Sequence, residues 1–293
     1  MQSERVGSPS AYPEPPLLKY SRELTALVGI PIIVWIVGWA HPYLYDATIA
    51  LVCGLALYEF LDLGRKKGYR IPVPLCLALM AFILAAFVLE PISVEMGLFL
   101  TLLVIPGYYV IAGGDLEQAL PASAISVLAT LYVGMLGGSL IRIRNDFPEG
   151  AKLIFFLVLV VWLGDAGAYY FGRRFGKHKL SPRISPKKTI EGGVGGVLAS
   201  VIAAVVLHYT MIPAFPLVHV IIAATLLSVT GIIGDLAESM WKRSAGVKDS
   251  GTLLPGHGGF LDRLDSILFT APILYAYWFL IVHHFQSFKI MSA

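Results

Sequence analysis

Charge is scarce in this chain. Lys, Arg, Asp and Glu make up 14% of its 293 residues, against about 25% in a soluble globular domain. With 57% hydrophobic residues and a mean hydropathy of +0.74, that scarcity excludes an ordinary soluble enzyme and leaves a polytopic membrane protein. Cysteine is nearly absent as well. The two present, Cys53 and Cys76, lie in or beside apolar runs. There a thiol acts as a small apolar core group, so neither a disulfide framework nor a thiolate metal site is expected. The net charge of +3 is too slight to point to nucleic acid as a partner. No cleavable signal peptide is expected, because residues 1–18 are polar and proline-rich and read as a disordered tail. An internal repeat of the kind that gives transporters paired, interrupted helices is also missing.

Long hydrophobic runs are what the chain has instead. A bilayer-crossing helix needs about 20 mostly apolar residues. Windows of that size give an all-α protein of about nine spans, near 23–40, 44–63, 72–89, 94–112, 119–141, 152–171, 191–209, 214–236 and 264–284. Orientation follows from the basic residues. With the N-terminus inside, eighteen Lys and Arg fall on the inner face and four (Arg142, Arg144, Lys152, Lys289) on the outer. The 142–152 loop is the misfit. This reading puts residues 173–190 and 235–265 on one cytoplasmic face of the plasma (inner) membrane. It also divides the chain into the tail, a scaffold of about five spans over 19–141, and a chemistry-bearing region of about four spans over 142–293.

Residues 235–265 hold five carboxylates and four basic side chains among otherwise greasy segments, and a polar island beside a bilayer demands a reason. Asp235, Glu238 and Ser239 share one helix face by their spacing. They stand at a helix C-terminus, where the dipole disfavours anions. The plainer reading is salt bridges to Lys242 and Arg243. A Mg2+ site is better motivated, since hard cations take carboxylate oxygens together with substrate phosphates. Asp262 and Asp265 repeat the spacing at the next helix start, where acids are also favoured simply as capping residues. Facing Asp235, they would complete a two-metal site for phosphoryl transfer. Between the pairs, Gly256-His257-Gly258-Gly259 offers either a flexible turn or a backbone anion nest. His257 would contact a phosphate or a base.

The other basic loop is not a P-loop, since Gly172 to Gly176-Lys177 is one residue short and no hydroxyl follows the lysine. Part of its charge serves only the positive-inside rule or anionic headgroups. Within it, Ser185, Lys187, Lys188, Thr189 and Glu191 stand just before a helix N-terminus, a natural triphosphate site. Gly192 and Gly196 give the small-residue spacing of close helix packing. Asp165 lies inside an apolar run, where a carboxylate is a functional candidate, and is expected to face Lys187 or Lys188. Glu59 and Asp62 read as interfacial partners of Arg65 and Lys66.

Ser239-Met-Trp-Lys242-Arg243, Lys248-Asp249-Ser250-Gly251, Pro255-Gly-His257-Gly258-Gly259 and Leu261-Asp262-Arg263-Leu264-Asp265 together resemble the signature of the phosphatidate cytidylyltransferases. Asp165-Ala-Gly-Ala-Tyr169 and Ser185-Pro-Lys-Lys-Thr-Ile-Glu191-Gly match that pattern too. The resemblance is strong over 160–270. It implies a nucleotidyltransferase that uses CTP and phosphatidate, depends on Mg2+, makes CDP-diacylglycerol and pyrophosphate for phospholipid synthesis, and forms a homodimer. Carried onto these positions, Asp235 and Asp262, helped by Glu238 and Asp265, would hold metal. Lys187, Lys188, Lys248 and Arg263 would neutralise phosphates, and Asp249 would position a basic group or a metal-bound water. Ser185, Thr189, Glu191, Asp165, Ser239, Lys242, Arg243, His257, Gly258 and Gly259 would line the substrates. Two rivals stay open: a CTP-dependent lipid or polyprenol kinase, and a transporter using its buried charges as a pathway.

Overall fold

A computed structural model describes residues 21–89, 91–251, 253 and 258–291; the proline-rich tail lies outside them. The described residues form nine helices: α1 (Ser21–Trp39), α2 (Pro42–Lys66), α3 (Val73–Val88), α4 (Val94–Ala112), α5 (Leu116–Asp146), α6 (Gly150–Phe175), α7 (Ile190–Thr210), α8 (Leu217–Ser244) and α9 (Leu261–Met291). Seven are long and apolar enough to cross a membrane; α3 and the apolar stretch of α1, Gly29–Trp39, are shorter. Helix ends follow local chemistry. Ser93 and Asp115 accept backbone N–H bonds from Met96 and Glu117 at 3.2 and 3.0 Å and so start α4 and α5. Gly113, at φ +64°, stops α4 in a conformation that glycine tolerates.

Exposed apolar side chains recur at helical spacing, as with Val194, Leu198, Ile202, Val206 and Tyr209 down α7. In water such a stripe would be an aggregation surface. Facing hydrocarbon it is solvated, and the helices satisfy the backbone internally. The chain is an all-α polytopic membrane protein.

Inside, two apolar clusters form. One joins Leu153, Leu157 and Val160 of α6 to Ala204 of α7, Ala224 and Leu227 of α8, and Leu274 and Trp278 of α9. The other joins Leu57 and Leu61 of α2, Met80 of α3 and Val133 of α5, and takes in Leu261 and Leu268 of α9. α6 and α7 pack closest through glycine: a β-carbon on Gly167 would lie 2.3 Å from that of Ala199, and one on Gly195 would lie 2.3 Å from that of Phe171. Close packing, proposed from the spacing of Gly192 and Gly196, is thus the rule along this seam.

One end of the bundle gathers the loops after α2, α6 and α8. Tyr109 Oη donates to the Arg70 carbonyl at 2.9 Å and Lys66 Nζ to the Ser250 carbonyl at 3.5 Å. The opposite end holds the 142–152 segment. Its basic residues, awkward for the charge rule, are partnered locally: Arg142 with Asp146 at 3.5 Å, Lys152 with Glu149 at 2.9 Å, and Arg144 Nε with the Val37 carbonyl at 2.9 Å.

Candidate active site

The basic loop is folded rather than loose. After α6 the chain forms β1 (Lys179–Ser181) and β2 (Ser185–Thr189), an antiparallel hairpin pairing Lys179 with Thr189 and Ser181 with Ser185. Thr189 ends the hairpin and caps α7, its hydroxyl accepting the Gly192 N–H at 3.1 Å. Glu191 turns back to fasten the hairpin's root. Its carboxylate accepts the backbone N–H groups of Lys177 and His178 at 3.0 and 3.2 Å and meets His178 Nδ1 at 2.6 Å. Glu191 therefore acts on the hairpin and is not among the residues lining the cavity that the hairpin covers.

That cavity, about 610 Å³, is lined from α6 by Asp165, Tyr169, Gly172 and Arg173, from the hairpin by Leu180, Lys187, Lys188 and Thr189, and from α7 by Gly192 and Gly193. From α8 it receives Asp235, and from the head of α9 Asp262, Asp265 and Ser266. Lys188 Nζ forms an ion pair with Asp235 across it, and Ser239 Oγ donates to the other Asp235 oxygen at 3.3 Å. Asp165 and the hairpin lysines line this one cavity together with Asp235. Ser185 lies at the start of β2, away from this lining.

The acids of the polar island part ways. α8 runs on to Ser244, two turns past the expected end at 236, so Asp235, Glu238, Ser239 and Lys242 are all helical. Asp235 faces the cavity, whereas Glu238 is fully buried. Lys242, itself buried, bonds Glu238 Oε2 at 2.9 Å and Asp262 Oδ1 at 2.6 Å. Asp262 also accepts the backbone N–H groups of Ser250 at 3.1 Å and Gly259 at 2.9 Å, which caps the head of α9. Lys242 thus ties α8 to α9 and is not among the cavity-lining residues. Of the four acids expected at a metal site, Asp235, Asp262 and Asp265 line the cavity and Glu238 does not. Among the described residues no cluster of three or more His, Cys, Asp or Glu forms a ready-made metal cage. The arrangement instead leaves hard oxygen donors around an open space, which suits a cation that arrives with phosphates.

The remaining expected residues are dispersed. Lys248 and Asp249 line a second cavity of about 380 Å³, beside Tyr58, Glu59, Asp62 and Lys66 of α2. Arg243 Nη1 donates to the Val247 carbonyl at 2.9 Å and so completes the end of α8. Arg263 lines a third recess, about 290 Å³, with Trp162, Asp165 and both aspartates of α9. Gly258 adopts φ +81°, and a β-carbon there would sit 3.0 Å from Asp262 Oδ2. Gly258 and Gly259 therefore let the loop close on Asp262; His257 lies outside the described residues.

Two groups escaped the sequence reading. Tyr169 and Arg173 lie one and two turns on from Asp165, and that helical spacing was the available signal. Glu59 was read as a partner of Arg65 and Lys66, but Asp62 takes both, at 3.7 and 3.1 Å. Glu59 is buried, and its place one turn deeper in the apolar run was the clue.

The chain matches the model of the cytidylyltransferase family over residues 20–281. It is 38% identical over 237 residues to a phosphatidate cytidylyltransferase of Bacillus subtilis strain 168, covering 79% of this chain and 87% of that one. With a phosphatidate cytidylyltransferase of Staphylococcus epidermidis it shares 37% over 258 residues, 86% of this chain and 96% of the other. A phosphatidate cytidylyltransferase of Staphylococcus saprophyticus is 48% identical over 152 residues, 52% of this chain and 57% of that one. The chain belongs to the cytidylyltransferase family.

Proposed function

We propose that this member of the cytidylyltransferase family transfers the cytidylyl group of CTP to phosphatidate, releasing CDP-diacylglycerol and pyrophosphate. One observation carries the reading. Within a single cavity, hairpin lysines leading into a helix N-terminus face aspartates from three other helices. Phosphates suit the first group and a divalent cation the second.

A phosphate oxygen of phosphatidate attacks the α-phosphorus of CTP in line. The new P–O bond forms as the bond from that phosphorus to the α,β-bridging oxygen breaks, and its electron pair leaves with pyrophosphate. The nucleophile is already anionic, so no strong general base is needed; catalysis rests on positioning and charge neutralisation. Lys187, Lys188 and Arg173 neutralise the triphosphate, and the N-terminus of α7, capped by Thr189, adds its dipole. Arg263, in the recess beside Asp165, neutralises the lipid phosphate. Asp235, Asp262 and Asp265 would hold Mg2+, which when bound offsets charge on the transferring phosphoryl group. Lys248 and Asp249 belong to the loop that shapes the head of α9 rather than to the reacting atoms.

In this reading all nine helices cross the plasma (inner) membrane with the N-terminus and the cavity on the cytoplasmic face, as the distribution of basic residues implies. The working unit is a homodimer.

Purified protein supplied with phosphatidate and CTP labelled at either the α or the γ position tests the assignment. Label from the α position is expected in the lipid. Label from the γ position would support a lipid kinase instead, and no transfer would support a transporter.

A further inference from the structure

Glu59 is a buried carboxylate that the reaction above does not use. It comes from α2, in the half of the chain that the sequence presents as scaffold. It is 2% exposed, and its Oε2 accepts the Ser250 hydroxyl at 3.0 Å and the Leu261 backbone N–H at 2.9 Å. Oε1 has no hydrogen-bond partner among the described residues. The loop is shaped to receive it: a β-carbon on Gly259 would lie 2.2 Å from Oε2, and one on Gly251 would lie 2.3 Å from Oε1. Gly259, which the sequence offers as part of a flexible turn or an anion nest, instead has its backbone against Glu59, and so does Gly251.

The same segment is held from its other side by the aspartate at the cavity. Asp262 accepts the N–H groups of Ser250 and Gly259, while Glu59 accepts the Ser250 hydroxyl and the Leu261 N–H. Just behind, Phe60 of α2 lies against Trp241 of α8, with ring centroids 4.6 Å apart, so the end of α8 rests on the same turn of α2. As a contribution to stability alone the arrangement is poor, because a buried charge with an unpaired oxygen is often bettered by an apolar side chain of similar volume. It does define where the loop ends and α9 begins.

We propose that Glu59 is a positioning residue for cytidylyl transfer: from the N-terminal half it fixes the glycine-rich loop, and with it the placement of Asp262 and Asp265 opposite Asp235. The inference rests on the transfer reading above, and its test separates the two. Full-length protein in detergent is compared as wild type, Glu59→Gln, Ser250→Ala and, as an acid-to-amide control at the opposite end of the bundle, Glu149→Gln, whose partner is Lys152. Glu59→Gln should lower kcat about ten- to a hundredfold, the scale of a misplaced catalytic group, with KM for CTP and phosphatidate nearly unchanged. Hydrogen exchange in the 248–261 segment should quicken. Ser250→Ala should move both readouts the same way by less, and Glu149→Gln should move neither. Wild-type kcat in Glu59→Gln, or a loss of rate matched by loss of folded protein, would overturn the inference. If Glu59→Gln does not fold, wild-type kcat and exchange in Ser250→Ala overturn it. If the wild type transfers no label, the transfer reading fails, and unchanged exchange in the variants would still refute the positioning role.

Discussion

Replacing Lys242 by methionine keeps the length of the side chain and removes its charge. In the wild type the ammonium bonds Glu238 Oε2 at 2.9 Å and Asp262 Oδ1 at 2.6 Å, with the lysine side chain 11% exposed and that of Glu238 fully enclosed. Removing one member of a buried ionic group strands its partners, at a cost of about 3–5 kcal/mol. At 1.4 kcal/mol per power of ten, that is roughly two to more than three decades in the folding equilibrium. The two stranded acids are not equal. Asp262 keeps the N–H groups of Ser250 and Gly259, whereas Glu238 has no backbone donor to fall back on, and its second oxygen has no hydrogen-bond partner among the described residues. Most of the loss should therefore sit on Glu238. Adding Glu238→Gln to Lys242→Met should then recover more than half of it, while cytidylyl transfer stays impaired because Asp262 has lost its tether to α8. Denaturant titration in mixed micelles measures the first quantity, and label transfer per folded molecule the second. Unchanged stability in Lys242→Met would refute the reasoning, as would a double variant no more stable than the single one. Full activity in the double variant would remove any role for the tether in catalysis.

Asp235→Asn should leave folding intact and reduce transfer by about a hundredfold or more, because it removes a cavity anion facing both Lys188 and the substrates. Chelation of divalent cations should abolish transfer and added Mg2+ should restore it; label-transfer rates in the chelator and in graded Mg2+ check both, and full turnover of Asp235→Asn would sink its place at the metal. Gly195→Leu forces a side chain into a space where even a β-carbon would meet that of Phe171 at 2.3 Å. It should separate α6 from α7 and destabilise the protein by about 1–3 kcal/mol. A denaturant midpoint equal to that of the wild type would show that this seam is looser than described.

The helices were legible because hydrocarbon length is a coarse and repeated constraint. Each of the nine expected windows overlaps one helix among the described residues, seven of these helices are long and apolar enough to cross a membrane, and α4 matches to the residue. What escaped was polar burial. α8 runs past 236 because Glu238, Ser239 and Lys242 are buried against partners that sequence spacing does not announce. The hairpin was hidden for a related reason: Ser-Pro-Lys-Lys-Thr has no strand-like apolar alternation, and Glu191 fixes its root from outside the strands. The site was legible as a set of residue types, and Asp165, Lys187, Lys188 and Asp235 line one cavity. It was not legible as a pairing scheme. Lys188 finds Asp235 across 47 positions and Ser250 finds Glu59 across 191, and only the packing of the helices makes those neighbours.

The last helix belongs to both apolar clusters: Leu261 and Leu268 lie fully buried among residues of α2, α3 and α5, while Leu274 and Trp278 lie among those of α6 and α8. The protein is therefore not modular, although its polar chemistry is concentrated in one half of the chain. A fragment beginning at 142 would carry every aspartate of the cavity, yet the first turns of α9 would have bare leucines where the N-terminal helices had been. An exchange of N-terminal halves between relatives would meet the same obstacle, because the graft must reproduce the surface on which the head of α9 is seated.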